Sequence, residues 1–387
     1  MRWYHVLGTS LLVAGISFAG EAPRARDLGI PFDGSPGPLN AITDVASVTV
    51  GHATVIEDLP DGRAARTGVT AILPRGRGSL LQPVFAAWFA LNGCGEMTGT
   101  TWIEESGQLD GPVMLTNTHS VGTVHQATIA WRIRQGEADA TGYFWSTPVV
   151  AETWDGYLND INGFHVTPEH VDAALESAAS GPVAEGNVGG GTGMVCYEFK
   201  GGIGTASRVV QVLGNAYTVG VLVQTNYGLR DQLHIAGVPV GKYLRENRVY
   251  SEPDPDADET GSIIVVVGTD APLLPHQLKR IAHRAALGLA RNGSISGNGS
   301  GDIFVAFSTA DESLGAVDRL LSHRSVPNDE IDSLFAATVQ AVEEAIINAL
   351  VAARDMTGDQ GHTVTALPHD ELKEVMQRYG RLDESTR

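Results

Sequence analysis

Ser300 is the residue whose surroundings best suit covalent chemistry. It stands in Ser296-Gly297-Asn298-Gly299-Ser300-Gly301-Asp302, followed at once by Ile303-Phe304-Val305-Ala306-Phe307. A small-residue hinge thus feeds a serine into the first position of an apolar strand. Were the Gly299–Ser300 bond cut, Ser300 would become an N-terminus carrying a hydroxyl nucleophile and an α-amine. Such an amine has a reference pKa of roughly 7.7–8.0, near that of a useful general base at neutral pH. Gly/Ser/Asn clusters between a helix and a strand are also ordinary loops, so the hinge alone does not decide. Ser294 and Ser296 lie back in the loop; only Ser300 adjoins a strand able to fix its geometry.

Two further residues could serve such a nucleophile, and the place of a third is open. Glu152 ends the short strand Pro148–Ala151 and precedes Trp154 and Tyr157. A carboxylate beside aromatic rings suits an ammonium group, although a capped turn would use the same residues. Asn226 ends the strand Tyr217–Thr225, where its amide could donate to an oxyanion or simply shape a turn. Glu344 falls in a long helix expected from Ile331 to about Arg354, with Phe335, Val339, Val342, Ile346 and Leu350 on one face. It lies opposite that stripe, as a solvated charge would. Ala337, Ala341 and Ala345 flank it, which equally allows close packing. The run Gly189–Gly193 lacks the Gly-Lys-Ser/Thr ending of a phosphate loop and reads as close backbone packing. His119 and His125 are too isolated for metal ligands, and Cys94 and Cys196 form neither a disulfide framework nor a zinc cluster.

The elements that must position these groups alternate between types. Strands are expected at Val45–His52, Gly68–Leu73, Val84–Leu91, Met194–Phe199 and Gly261–Val267, the last apolar enough for burial on both faces. Helices are expected at Val121–Arg134, from a Thr167 cap to about Ala179, and from about Pro272 to Ala290. Pro253–Asp258 reads as an exposed acidic loop. The chain has 45 acidic against 26 basic residues, a formal charge of −19. That balance argues against nucleic-acid binding and fits ligands that carry an amine. Arg2 and His5 precede an apolar run from Val6 to Ala19, with small residues at Ser17 and Ala19. Residues 1–19 therefore read as a secretory signal peptide cleaved after Ala19, and the protein as periplasmic or secreted. No other stretch reads as long and apolar enough to cross a membrane.

Gly297-Asn298-Gly299-Ser300-Gly301-Asp302-Ile303-Phe304, with Trp102-Ile103-Glu104-Glu105-Ser106-Gly107, Glu152-Thr153-Trp154-Asp155-Gly156 and Asn226-Tyr227-Gly228, resembles the L-aminopeptidase/D-esterase and β-peptidyl aminopeptidase family. The agreement runs from about Arg24 to about Arg354. The resemblance implies an α+β fold, a four-layer αββα sandwich similar to N-terminal-nucleophile hydrolases with its own topology. It implies a single catalytic domain that cuts itself into a long chain, 20–299, and a short chain, 300–387, and assembles as a homo-oligomer, a tetramer of cleaved heterodimers. On this pattern Ser300 is the nucleophile, Gly299–Ser300 the processing bond and Asn226 the oxyanion donor. Glu152, with Tyr157 beside it, holds the amine of small peptide, amide or ester substrates, and Glu344 orients the serine amine. No cofactor is implied. The chain departs from the pattern at Val342, where a hydroxyl residue is expected two positions before the glutamate; Thr338 is a substitute one turn earlier. An acyltransferase of the ornithine acetyltransferase type is the nearest enzymatic rival, but it prefers threonine as nucleophile and a cytoplasmic address. A non-catalytic binding protein on the same scaffold is the other.

Overall fold

The computed structural model describes residues 23–136, 138–249, 260–315 and 318–382; the expected signal segment and the acidic loop 253–258 lie outside them. In chain order, β1 (Thr49–Asp58), β2 (Ala64–Leu73) and β3 (Val84–Gly93) lead to α1 (Thr100–Ser106) and the short β4 (Gln108–Leu109). Then come β5 (Val113–Asn117), α2 (Val121–Arg134), β6 (Val149–Thr153) and α3 (Pro168–Glu176). A small hairpin, β7 (Val195–Cys196) and β8 (Phe199–Lys200), precedes β9 (Gly202–Val212) and β10 (Asn215–Asn226). The chain continues through β11 (Thr260–Thr269), α4 (Pro275–Arg291), β12 (Gly299–Ser308) and α5 (Asp332–Ala352). It ends in a ribbon, β13 (Met356–Thr357) and β14 (Thr363–Val364), and α6 (His369–Arg378).

Two sheets carry the architecture. One has the order β1-β2-β5-β6, the other β4-β3-β12-β11-β10-β9. Each holds one parallel pair spanned by a helix: β5 and β6 across α2, and β11 and β12 across α4. Strand side chains alternate between faces, and here both faces are covered. Ile264, Val266, Ile303, Val305 and Phe307 meet Ile72, Val113 and Leu115 between the sheets. Their neighbours Ile263, Val265, Val267, Phe304 and Ala306 pack against Leu278 and Ile281 of α4 and Ile346 of α5. On the far side, Ala71, Leu73, Met114 and Val150 meet Val124, Trp131, Val171 and Leu175 of α2 and α3. The stack is helix, sheet, sheet, helix, the αββα sandwich that the resemblance implies.

Several boundaries differ from the sequence reading. β1 starts at Thr49 because Ser47 adopts a left-handed φ of 74° and turns the chain just before it. Met194–Phe199 is a hairpin rather than one strand, since Tyr197 and Glu198 both have positive φ. α5 is long and apolar enough to span a membrane, against the expectation that no later stretch is, but it is buried in the core.

The role expected of Glu344 is also corrected. Its carboxylate is fully buried and accepts bonds from Arg26 Nε at 2.7 Å, Arg26 Nη2 at 2.9 Å, Asn40 Nδ2 at 2.6 Å and Arg208 Nη2 at 2.6 Å. Arg208 lies on β9, the sheet edge three strands from β12. Three interstrand spacings are roughly 14 Å, too far for Glu344 to orient the Ser300 amine. Thr338 does not substitute, because its hydroxyl donates to Leu334 O within the helix. Burial pushes the Glu344 pKa up, but the guanidiniums of Arg26 and Arg208 and the Asn40 amide outweigh it and hold it below the ordinary value. The resulting stabilisation is present above the unfolded-state pKa and is lost as pH falls through the lower folded value. Glu344→Gln leaves buried guanidinium charge uncompensated and should cost on the order of 3 kcal/mol of stability. A lowered thermal midpoint is the expected reading; an unchanged one would remove this cluster from the stability account.

Candidate active site

A cleft of about 380 Å³ opens where β6, β10, β11 and β12 meet, and its lining includes Thr118, Glu152, Trp154, Tyr157, Asn226 and Gly299. Glu152 sits on β6 directly opposite Thr116 of β5, which brings Thr118, just beyond that strand, into reach. The carboxylate is almost wholly enclosed. Its Oε1 accepts from Glu96 N at 2.9 Å, and its Oε2 accepts a short bond from the Thr118 hydroxyl. Burial raises its pKa, while those two donors oppose the rise. Lone pairs remain on both oxygens for a further donor. An arriving ammonium would restore the charge that burial disfavours. Beside it, the Tyr157 ring stacks on His362 with centroids 4.5 Å apart, and Trp154 is half-exposed at the cleft wall.

Backbone contact ties Glu152 to the hinge. A Cβ on Gly95 would lie 3.2 Å from both Glu152 Oε1 and Gly301 Cα, and one on Gly301 would lie 2.5 Å from Cys94 O. A side chain at Gly301 would collide with backbone and one at Gly95 would be tightly crowded, so one methyl-sized gap separates the carboxylate from the residue after Ser300. β12 begins at Gly299, as the reading of Ser300 beside the strand requires. Asp302 pairs with Asn92 and Ile303 with Ala90, so Leu91 forms a bulge in β3. The Asn92 side chain donates to the carbonyls of Ser296 and Gly297 and pins the hinge. Bulges of this kind re-aim side chains beside functional sites.

Ser300 itself is fully buried, next to Gly299, which lines the cleft. Its N–H donates to Gly297 O at 2.9 Å and its hydroxyl to Asp302 Oδ1 at 2.7 Å. Burial raises the Asp302 pKa; the Ser300 bond works against that. Asn226 ends β10 level with Ser262, which is level with Gly301. Its Oδ1 accepts from Val195 N at 2.8 Å, so the amide is oriented with Nδ2 left for the cleft. Among the described residues no group of three or more His, Cys, Asp or Glu gathers as a metal site.

The structure therefore brings Gly299, Asn226, Glu152 and Tyr157 to one cleft, whose lining also includes Ser262, buries Ser300 next to Gly299 outside that lining, and places Glu344 elsewhere. Sequence reasoning gave no role to Asp302, Thr118 or Val195. Asp302 was open to inference, because residues two apart on a strand share a face. Thr118 and Val195 were not, since only the pairing of β5 with β6 and the turn before β7 brings them there.

Known proteins resemble this chain over almost its whole length. The sequence profile of peptidase family S58 matches residues 40–364. Beta-peptidyl aminopeptidase BapA of Sphingosinicella microcystinivorans is 54% identical over 396 residues, covering 98% of this chain and 99% of that protein. BapA of Sphingosinicella xenopeptidilytica is 49% identical over 385 residues, covering 95% of each. Among solved structures, the L-aminopeptidase D-Ala-esterase/amidase of Ochrobactrum anthropi, a serine aminopeptidase with a variant Ntn-hydrolase fold, superposes with a TM-score of 0.87 at 51% identity, covering 93% of this chain and 100% of that one. A Burkholderia sp. beta-aminopeptidase gives 0.84 at 49% identity, with 92% and 99% covered.

Proposed function

The chain belongs to peptidase family S58 and is a serine aminopeptidase with a variant of the Ntn-hydrolase fold, and on that premise we propose that Ser300, released by self-cleavage of Gly299–Ser300, is its nucleophile. The observation that carries this reading is the single glycine between the Glu152 carboxylate and Gly301. A substrate ammonium seated on Glu152 lies one residue's reach from the new N-terminus, which is the spacing an aminopeptidase needs.

Maturation comes first. Ser300 Oγ attacks the Gly299 carbonyl carbon while its proton passes to the Asp302 carboxylate, to which the hydroxyl is already bonded. The C–N bond breaks, that proton moves to the departing amine, and water hydrolyses the ester to leave a Gly299 carboxylate. Gly299 no longer walls Ser300 off from the cleft. In turnover, the free amine of Ser300 accepts the hydroxyl proton and Oγ attacks the substrate carbonyl. The Asn226 amide donates to the oxyanion, the protonated amine or alcohol leaves, and water resolves the acyl-enzyme. Short peptides, including β-peptides, and amides or esters with a free amine fit a cleft with the enclosed Glu152 carboxylate and aromatic walls. After cleavage Glu344 belongs to the short chain and Arg26, Asn40 and Arg208 to the long one, so the buried cluster clasps the two chains together.

The N-terminal basic-then-apolar pattern supports export to the periplasm or medium, and the reading includes assembly of cleaved heterodimers into a tetramer. Mass spectrometry of the purified protein tests the central claim. A fragment beginning at Ser300 is expected, and recovery of the intact chain alone would refute it. Glu152→Gln keeps the shape of the amine site but removes its charge. A charge-assisted bond contributes about 1.5–3 kcal/mol, so KM for substrates with a free amine should rise roughly 10- to 100-fold with kcat little changed. An unaltered KM would take Glu152 out of the amine site.

A further inference from the structure

Lys200 closes β8, and its side chain is completely enclosed. Its ammonium donates to Met194 O at 2.8 Å, Gly201 O at 2.8 Å and Gly191 O at 3.3 Å. Three neutral carbonyls, rather than a carboxylate, thus take its three protons. Burial pushes its pKa down to about 7, while the charges of Cys196 and Asp155 act to raise it. A cation in such a place is costly, and an apolar side chain of similar length would fill the same space more cheaply.

What that charge touches gives it a use. The Met194 carbonyl that accepts from Lys200 belongs to the same peptide group as Val195 N–H, and Val195 N–H holds Asn226 Oδ1. One amide therefore separates the ammonium from the side chain that faces the cleft. A cation on a peptide oxygen draws electron density from its nitrogen and makes the N–H a stronger donor. That donor in turn fixes which end of the Asn226 amide points at the cleft and makes its Nδ2 protons more positive. Each bond in such a chain is strengthened by perhaps 10–30%.

We propose that Lys200 is a positioning residue for catalysis, orienting and polarising the Asn226 amide through the Met194–Val195 peptide. The proposal rests on the reading of Asn226 as the oxyanion donor. A purely structural lysine would fix the turn from Gly191 to Met194 but leave the energetics of Asn226 independent of it.

A double-mutant cycle separates these possibilities. Lys200→Met, Asn226→Ala and the double variant are compared on matured enzyme with an aminoacyl nitroanilide. Lys200→Met should lower kcat about 10-fold with KM within about 2-fold, and should cost less than about 2-fold when Asn226 is already alanine. Lys200→Arg, which keeps charge and donors, should restore most of the loss. If the methionine variant does not fold, Lys200→Gln enters the same cycle as a neutral donor. Losses that multiply in the double variant, or no recovery with arginine, would overturn the proposal while leaving Asn226 as oxyanion donor. An Asn226→Ala enzyme with undiminished kcat would instead overturn the oxyanion reading itself, and this proposal with it.

Discussion

Ser300→Ala should yield a single uncut chain with no measurable peptidase activity. The change removes the hydroxyl that follows the Gly299 carbonyl in the chain and donates to the Asp302 carboxylate. Without Oγ there is no N-to-O shift, so the amine needed in turnover stays locked in a peptide bond and Gly299 continues to wall the cleft. Both losses follow from one atom. Removing the nucleophile of a serine hydrolase costs on the order of 10⁶-fold in kcat. Here the loss should be at least as large, because the general base is lost with it. A denaturing gel checks processing and nitroanilide release checks turnover. Fragments of normal size from the alanine variant would show that another residue cuts the chain. A little methyl-for-hydroxyl repacking is expected in a site already fully buried, so the thermal midpoint should stay close to that of the uncut precursor.

Asn226→Ala carries the next largest effect. The structure orients this amide by tying Oδ1 to Val195 N, which commits Nδ2 to the cleft. Such a preorganised donor acts where negative charge develops and water is excluded, and removing one costs about 10²- to 10³-fold in kcat. KM should move little, because the ground-state carbonyl gains much less from the donor than the oxyanion does. Asn226→Asp should be at least as damaging, since it replaces the donor by a negative charge facing another. If kcat survives either change, the oxyanion is stabilised elsewhere in the cleft. If KM rises while kcat holds, Asn226 contacts the substrate but not the transition state.

Much of this was legible in the sequence because it is local. The hinge Gly299-Ser300-Gly301 leads straight into a strand whose apolar run has no polar alternation, and such a strand has to be buried on both faces. Glu152 and Asn226 each end a strand, where side chains can reach a crevice. The long helix was equally plain, but the role of its glutamate was not. Glu344 sits among alanines and could face water or a packed layer on sequence grounds. The deciding fact is that Arg26, Asn40 and Arg208, 136 to 318 positions upstream, converge on it at the sheet edge. Helical periodicity says which face a residue occupies, not what covers that face.

The sequence by itself singled out Ser300 and the Gly299–Ser300 bond as candidates, because they rest on neighbours in the chain, and its motifs implied the layered fold through their resemblance to a known family. The tertiary structure alone decided the partners. It put Asp302 beside the Ser300 hydroxyl and Glu344 among Arg26, Asn40 and Arg208, set Glu152 one glycine away from Gly301, and linked Lys200 to Asn226 through a single peptide. The physical reason is range. Hydrogen bonds and burial act over a few ångströms in space, whereas sequence reasoning sees distance only along the chain.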